Sequence, residues 1–180
     1  MNTTSDLIPA SRSLPAASRR PCERGVAAVE FAIVLVPLLI IAFGAAEYGR
    51  AIYQFNTLVK SVRGAVRMVA STSATSPGYS SVVDKAKCMA VYGNIDCKGS
   101  PLAPGLAISN IKVCDRVTWS DCTGKSQSDY LNVAVSGINI DLVAVRVSGY
   151  TYQYLGLPFV TPQSSVNFST IEAVMMQSGN

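Results

Sequence analysis

Residues 26 to 46, VAAVEFAIVLVPLLIIAFGAA, form an apolar run broken by one charged residue, Glu30. As a helix these 21 residues rise about 31 Å, the thickness of a hydrocarbon core. A single transmembrane helix over 26–46 is therefore expected. A cleaved secretory signal is the alternative, since GAA at 44–46 puts small residues before Glu47. Secretory apolar cores usually run only about 7 to 15 residues, which disfavours that reading. Glu30 is the anomaly. A carboxylate in hydrocarbon costs several kcal/mol unless it is neutralised or paired. Glu47, at the far end, can sit at a membrane surface. Pro37 is expected to loosen the helix near the carbonyl of Ile33.

The flanks divide the chain. Residues 1–25 are rich in Ser, Pro, Arg and Thr and lack the apolar groups to build a core, so disorder is expected there. Beyond the run, Tyr48, Ile52, Phe55, Val59, Val62, Val66 and Val69 recur at spacings of 4, 3, 4, 3, 4 and 3. That is a helical stripe, so 47–70 is expected to continue the helix in amphipathic form. The stripe suits packing against the protein's own domain, and also a seam against neighbouring copies. Residues 71–78 read as a linker closed by Pro77 and Gly78. In 79–180 a short helix is expected at about 80–92, followed by segments that alternate apolar and polar residues and are rich in Val, Ile, Tyr and Thr. The expected class is α+β: a long N-terminal helix, then a small antiparallel sheet of three or four strands.

Five cysteines lie at 22, 88, 97, 114 and 122. If the run spans a membrane, Cys22 is on one side and an even set, Cys88, Cys97, Cys114 and Cys122, on the other. That partition predicts two disulfides in an oxidising compartment. Three connectivities are open; local pairing, Cys88 with Cys97 and Cys114 with Cys122, is the guess. The spacings fit no zinc pattern. Lysines and arginines nearly balance across the run, but Arg19, Arg20 and Arg24 crowd its entrance. Those flanks and the cysteine partition both favour an N-terminus on the cytoplasmic side.

The order of residues around Glu30 carries a resemblance. Arginines precede Gly25; Val26, Ala27, Ala28 and Val29 follow, then Glu30 and Phe31, and an apolar helix. This resembles a type IV prepilin-like signal. With Pro37 and the box Glu47-Tyr48-Gly49-Arg50 added, residues 24–70 resemble the TadE-like family, minor pseudopilins of the Tad (Flp) tight-adherence pilus system. The resemblance implies a leader over 1–25, cut between Gly25 and Val26 by a membrane prepilin peptidase. It implies a single-pass protein of the bacterial inner membrane with a periplasmic domain over 79–180. The implied partners are the membrane, the peptidase, other pilins or pseudopilins and the pilus assembly platform; incorporation into the pilus itself is left open. Glu30, four residues beyond Val26, could pair with the α-amine freed by cutting, in its own chain or a neighbour's.

Other chemistry finds little support. The absence of histidine removes the commonest general base and metal ligand, and no Ser-His-Asp or Cys-His set can form. No catalytic residue, cofactor or metal is expected. CTGKS at 122–126 falls short of a phosphate-binding loop because Trp119 stands where its first glycine would be. Asp115, Asp121 and Asp129 are too scattered to suggest calcium. A net charge of +4 is too weak to suggest nucleic acid. The rival to a minor pilin is an unprocessed, membrane-anchored periplasmic scaffold or binding protein.

Overall fold

The computed structural model describes residues 23–154 and 165–178. Residues 1–22, most of the segment expected to be a disordered leader, with Cys22, Arg12, Arg19 and Arg20, lie outside the described residues. The chain divides into two units, Met1–Ile41 and Ala42–Asn180, with the boundary inside the first helix. That helix, α1, runs Glu23–Ala70 and passes through Pro37. Its first-unit part is apolar and exposed, with Val26, Phe31, Ile33 and Ile41 each more than half accessible. Among the described residues α1 is the one helix long and apolar enough to cross a membrane, with a mean hydropathy of 2.7 over its most apolar window.

The second unit is built on the rest of α1. Helix α2, Tyr79–Tyr92, ends at Gly93, whose φ of 73° lets its N–H turn back to the Met89 carbonyl at 3.0 Å. Strands β1 (Ile111–Cys114), β4 (Leu142–Val147) and β7 (Ile171–Met176) form an antiparallel sheet in the order β1-β4-β7. Strands β2 (Val133–Val135) and β3 (Ile138–Ile140) pair as a hairpin, and β5 (Thr151–Gln153) pairs with β6 (Ser165–Asn167). The class is α+β, and the main sheet has three strands. The valine-rich stretch from 141 breaks into β4 and β5 around Gly149, and the stretch to 176 breaks into β6 and β7. The β2–β3 turn is Ser136-Gly137, both at positive φ (50° and 83°), as a tight two-residue hairpin requires.

Alternation along β4 sets the core. Val143, Val145 and Val147 face the helices and meet Ile111, Val113 and Ile171 from the neighbouring strands. Above them pack Leu58, Val62, Val66 and Val69 of α1 with Ala86, Ala90 and Val91 of α2. On the opposite face Ala144 joins Cys114, Cys122 and Tyr130 in a smaller cluster.

The buried face of α1 is not the whole stripe. Val62, Val66 and Val69 are buried, but Tyr48, Ile52 and Phe55 are exposed and Val59 is half-buried; Gln54 and Leu58 take the inner positions instead. A pattern repeating every 3.5 residues drifts by roughly 20° per heptad across a 3.6-residue helix, so its N-terminal end rotates off the core. Only the C-terminal part of the stripe, Val62, Val66 and Val69, is buried in the chain's own domain.

One buried carboxylate ties the elements together. Asp115 has no accessible surface. Its Oδ1 accepts from the backbone N–H groups of Val117 (2.7 Å) and Thr118 (2.8 Å), and its Oδ2 accepts from the Tyr79 hydroxyl. Burial and this carboxylate push the Tyr79 phenol far above its ordinary pKa. Gln177, just after β7, donates through Nε2 to the Thr72 carbonyl at 2.9 Å, and its backbone N–H donates to the Asp141 carbonyl at 2.8 Å. Thus the end of α1, the start of α2, β1 and β7 converge on one polar knot.

Candidate functional site

Gly25, Val26, Glu30, Phe31 and Pro37 all lie on α1 within the first unit. Val26 and Glu30 are one turn apart on the same face, four residues being about 6 Å of rise. Glu30 is exposed among apolar neighbours, with Val29 and Phe31 59% and 65% accessible. At Gly25 a Cβ would meet nothing within 4 Å, and its φ is not positive. Neither local packing nor backbone conformation requires glycine there, so any requirement for it comes from another molecule.

The Glu47-Tyr48-Gly49-Arg50 box splits by helical geometry. Glu47 and Arg50, three residues apart, pair along one face: Arg50 donates to Glu47 Oε2 through Nη2 at 3.1 Å and Nε at 3.3 Å. The same carboxylate oxygen accepts from the Tyr152 hydroxyl at 2.8 Å. Arg50 Nη2 also donates to the Gln153 carbonyl at 2.8 Å, and its guanidinium carbon sits 4.9 Å from the centre of the Tyr152 ring. Phe168 extends the contact, with ring centres 5.7 Å from Phe55, 5.8 Å from Tyr150 and 5.8 Å from Tyr152. The box thus fastens this turn of α1 to the β5–β6 hairpin. Tyr48, 70% accessible, points elsewhere, and Gly49 has open space around it. Sequence reasoning missed Tyr152 and Phe168; the aromatic alternation of TYQYLG at 151–156 marked a strand but not its partner.

Burial and the Glu47 carboxylate raise the Tyr152 phenol to about 12. A proton held more tightly in the folded state stabilises it fully below pH 10, the ordinary tyrosine value. That contribution is lost as pH rises from about 10 through about 12. Tyr152→Phe should cost about 1 kcal/mol at neutral pH. It should also flatten the fall of the thermal midpoint between about pH 10 and 12 relative to wild type. Parallel curves for the two proteins would reject the Glu47–Tyr152 bond.

The four cysteines after the apolar run form two pairs. Cys88 of α2 is bonded to Cys97, with Cα atoms 4.8 Å apart, and Cys114 at the end of β1 to Cys122, with Cα atoms 6.1 Å apart. Asp115, Asp121 and Asp129 do not converge. Asp115 sits in the polar knot, Asp129 is exposed and accepts from the Ser126 N–H at 2.7 Å, and among the described residues no group of three potential metal ligands occurs.

Together these features define an α+β protein with one N-terminal helix able to anchor it in a membrane and a disulfide-bonded domain after it. Residues 25–67 match the family model described as TadE-like protein, which makes this segment similar to that family. That family is of the pilus structural type rather than enzymatic. The matched segment contains Gly25, Glu30, Phe31, Pro37 and the Glu47–Arg50 box; residues 68–180 lie outside it. No curated protein and no solved structure matches the chain.

Proposed function

We propose that the protein is a minor pseudopilin that takes part in assembling a Tad-type pilus. A prepilin peptidase removes residues 1–25 on the cytoplasmic face of the inner membrane. The chain then stays anchored by its apolar helix, with the disulfide-bonded domain in the periplasm. Its partners are other pilins or pseudopilins and the assembly platform, and its role is in adhesion or secretion rather than catalysis. The observation that carries this reading is the juxtaposition on α1 of Gly25, which no local constraint requires, with Glu30, a carboxylate on an exposed apolar face one turn beyond Val26.

The test is N-terminal sequencing of the membrane-extracted protein. A mature chain beginning at Val26 is expected, and Gly25→Val should accumulate a full-length precursor because the larger side chain blocks close approach of the peptidase. Gly25→Ala should be cut nearly normally. An intact leader on the wild-type protein would favour the unprocessed scaffold instead.

A further inference from the structure

Among the described residues the main sheet ends at β7, with no strand beyond it. Gln177 and Asp141 bond across β7 and β4, and antiparallel pairing alternates, so Met175–Val143 and Ala173–Val145 are the bonded pairs. The β1 side agrees, because Ser148 donates to the Asn110 carbonyl at 2.8 Å and so turns Arg146 and Ala144 toward β1. The backbone groups of Glu172, Val174 and Met176 therefore face outward from the sheet, with no partner among the described residues. Val174 and Met176 are 50% and 63% accessible. A long exposed edge with apolar side chains is a template for another strand.

Helix α1 overhangs this edge. A groove of two joined depressions, about 350 and about 410 Å³, lies between them. Phe55, Val59 and Arg63 face the start of β7, and Arg63, Val66 and Arg67 face its later residues, so helix and strand advance together. Arg63 and Arg67 are exposed and form no ion pair among the described residues, while the carboxylate of Glu172 is held by Arg146 at 3.0 Å. The arginines, four residues apart, are separated by about 6 Å along the helix. Alternate residues of a strand are about 6.6 Å apart. A strand added to β7 would therefore bring two successive helix-facing side chains beneath the two guanidinium groups.

We infer that the β7 edge receives an extended segment of a different protein chain, with carboxylates at two alternate positions and an apolar residue beside them. The carboxylates meet Arg63 and Arg67, the apolar side chain enters the Phe55–Val59 end, and the backbone bonds to β7. A second copy fits poorly. The seven described strands hold a single carboxylate, Glu172, which is already paired. The inference needs no cleavage at Gly25, so its failure and that of the pseudopilin reading are separable.

The test uses the full chain in detergent micelles and the end-blocked peptide TVTETETVT, whose pattern reads alike in both directions. It should bind about tenfold more tightly than TVTKTKTVT. N-methylation of the peptide's backbone along the bonded edge should abolish binding. The double variant Arg63→Glu, Arg67→Glu should reverse the preference toward the lysine peptide, with its thermal midpoint kept because both side chains are exposed. Absence of binding by the acidic peptide, equal binding of the two peptides, indifference to N-methylation, or an unreversed preference each overturns the inference. So does a wild-type dimer that Val174→Pro converts to monomer, since that result would seat a second copy on the edge.

Discussion

Glu30→Ala should yield a chain that is cut after Gly25 yet supports no pili. Cutting is expected to survive because the peptidase engages the peptide bond at Gly25–Val26, and alanine keeps α1 helical there. What the substitution removes is a carboxylate whose proposed partner, the Val26 amine, exists only after cutting. The freed α-amine of Val26 has a reference pKa near 8, so it is largely cationic at neutral pH. Glu30 lies one turn away, on an apolar, exposed stretch of helix. An unpaired charge in hydrocarbon costs several kcal/mol, and pairing amine with carboxylate offsets part of that cost while fixing register, whether within one chain or between neighbours. Without the carboxylate the amine enters apolar contacts unpaired, and register is no longer specified. A processed protein retained in the inner membrane and a surface bare of pili are expected. Glu30→Asp should give an intermediate pilus count, because the charge remains but reaches one methylene less. The measurement is an immunoblot for processing beside a count of pili. Normal piliation by a processed Glu30→Ala chain would reduce Glu30 to a hydrated interfacial residue.

What the sequence disclosed follows from how local each signal is. The apolar run and the stripe beyond it marked one long helix, because a helical pattern is legible within a few turns. The α+β class was likewise written in short segments, whereas the cysteine spacing left three connectivities open and it is the structure that pairs Cys88 with Cys97 and Cys114 with Cys122. The structure differs where the answer depended on three dimensions. The seam Tyr48–Ile52–Phe55 reads as continuous with Val62–Val66–Val69, yet only the latter is buried, because the slow drift of a 3.5-residue repeat becomes visible only against a sheet of fixed position. The Glu47–Arg50 box showed its internal pair in its spacing, but its third member, Tyr152, is 105 residues away and carries no motif of its own. Arg63 and Arg67 lie off the apolar stripe, and only the position of β7 gives them a common groove. Asp115 read as one of several scattered loop aspartates, and nothing in its neighbours distinguishes a buried carboxylate from an exposed one.

That last residue carries the largest expected effect on folding. Asp115→Ala should lower the stability of the domain by about 4 kcal/mol. The carboxylate is fully buried, and its removal strands three donors: the N–H groups of Val117 and Thr118 and the hydroxyl of Tyr79. The buried Tyr79 hydroxyl left unsatisfied costs roughly 1 to 3 kcal/mol and each hydrogen bond lost to the charged group about 1.5 to 3 kcal/mol, and the losses are less than additive because Val117 is exposed, Thr118 is half-buried and their turn can relax toward water. Against a total stability of about 5–15 kcal/mol for an ordinary domain, such a loss is a large fraction of the whole. Asp115→Asn separates lost hydrogen bonds from lost charge. Its side-chain oxygen still accepts from Val117 and Thr118, while its amide group meets the Tyr79 oxygen as a donor, leaving only the phenol proton to find a new acceptor. A loss of about 1–2 kcal/mol is expected for it. The order wild type, Asn, Ala should appear in urea denaturation of the full chain in micelles, followed by the fluorescence of the sole tryptophan, Trp119, four residues from Asp115. Because the knot joins the end of α1 to α2, β1 and β7, the Ala variant should also lose protease resistance across the whole second unit rather than in the 115–122 turn alone. Equal denaturation midpoints for all three proteins would mean that the turn satisfies its own donors and that Asp115 does not hold these elements together.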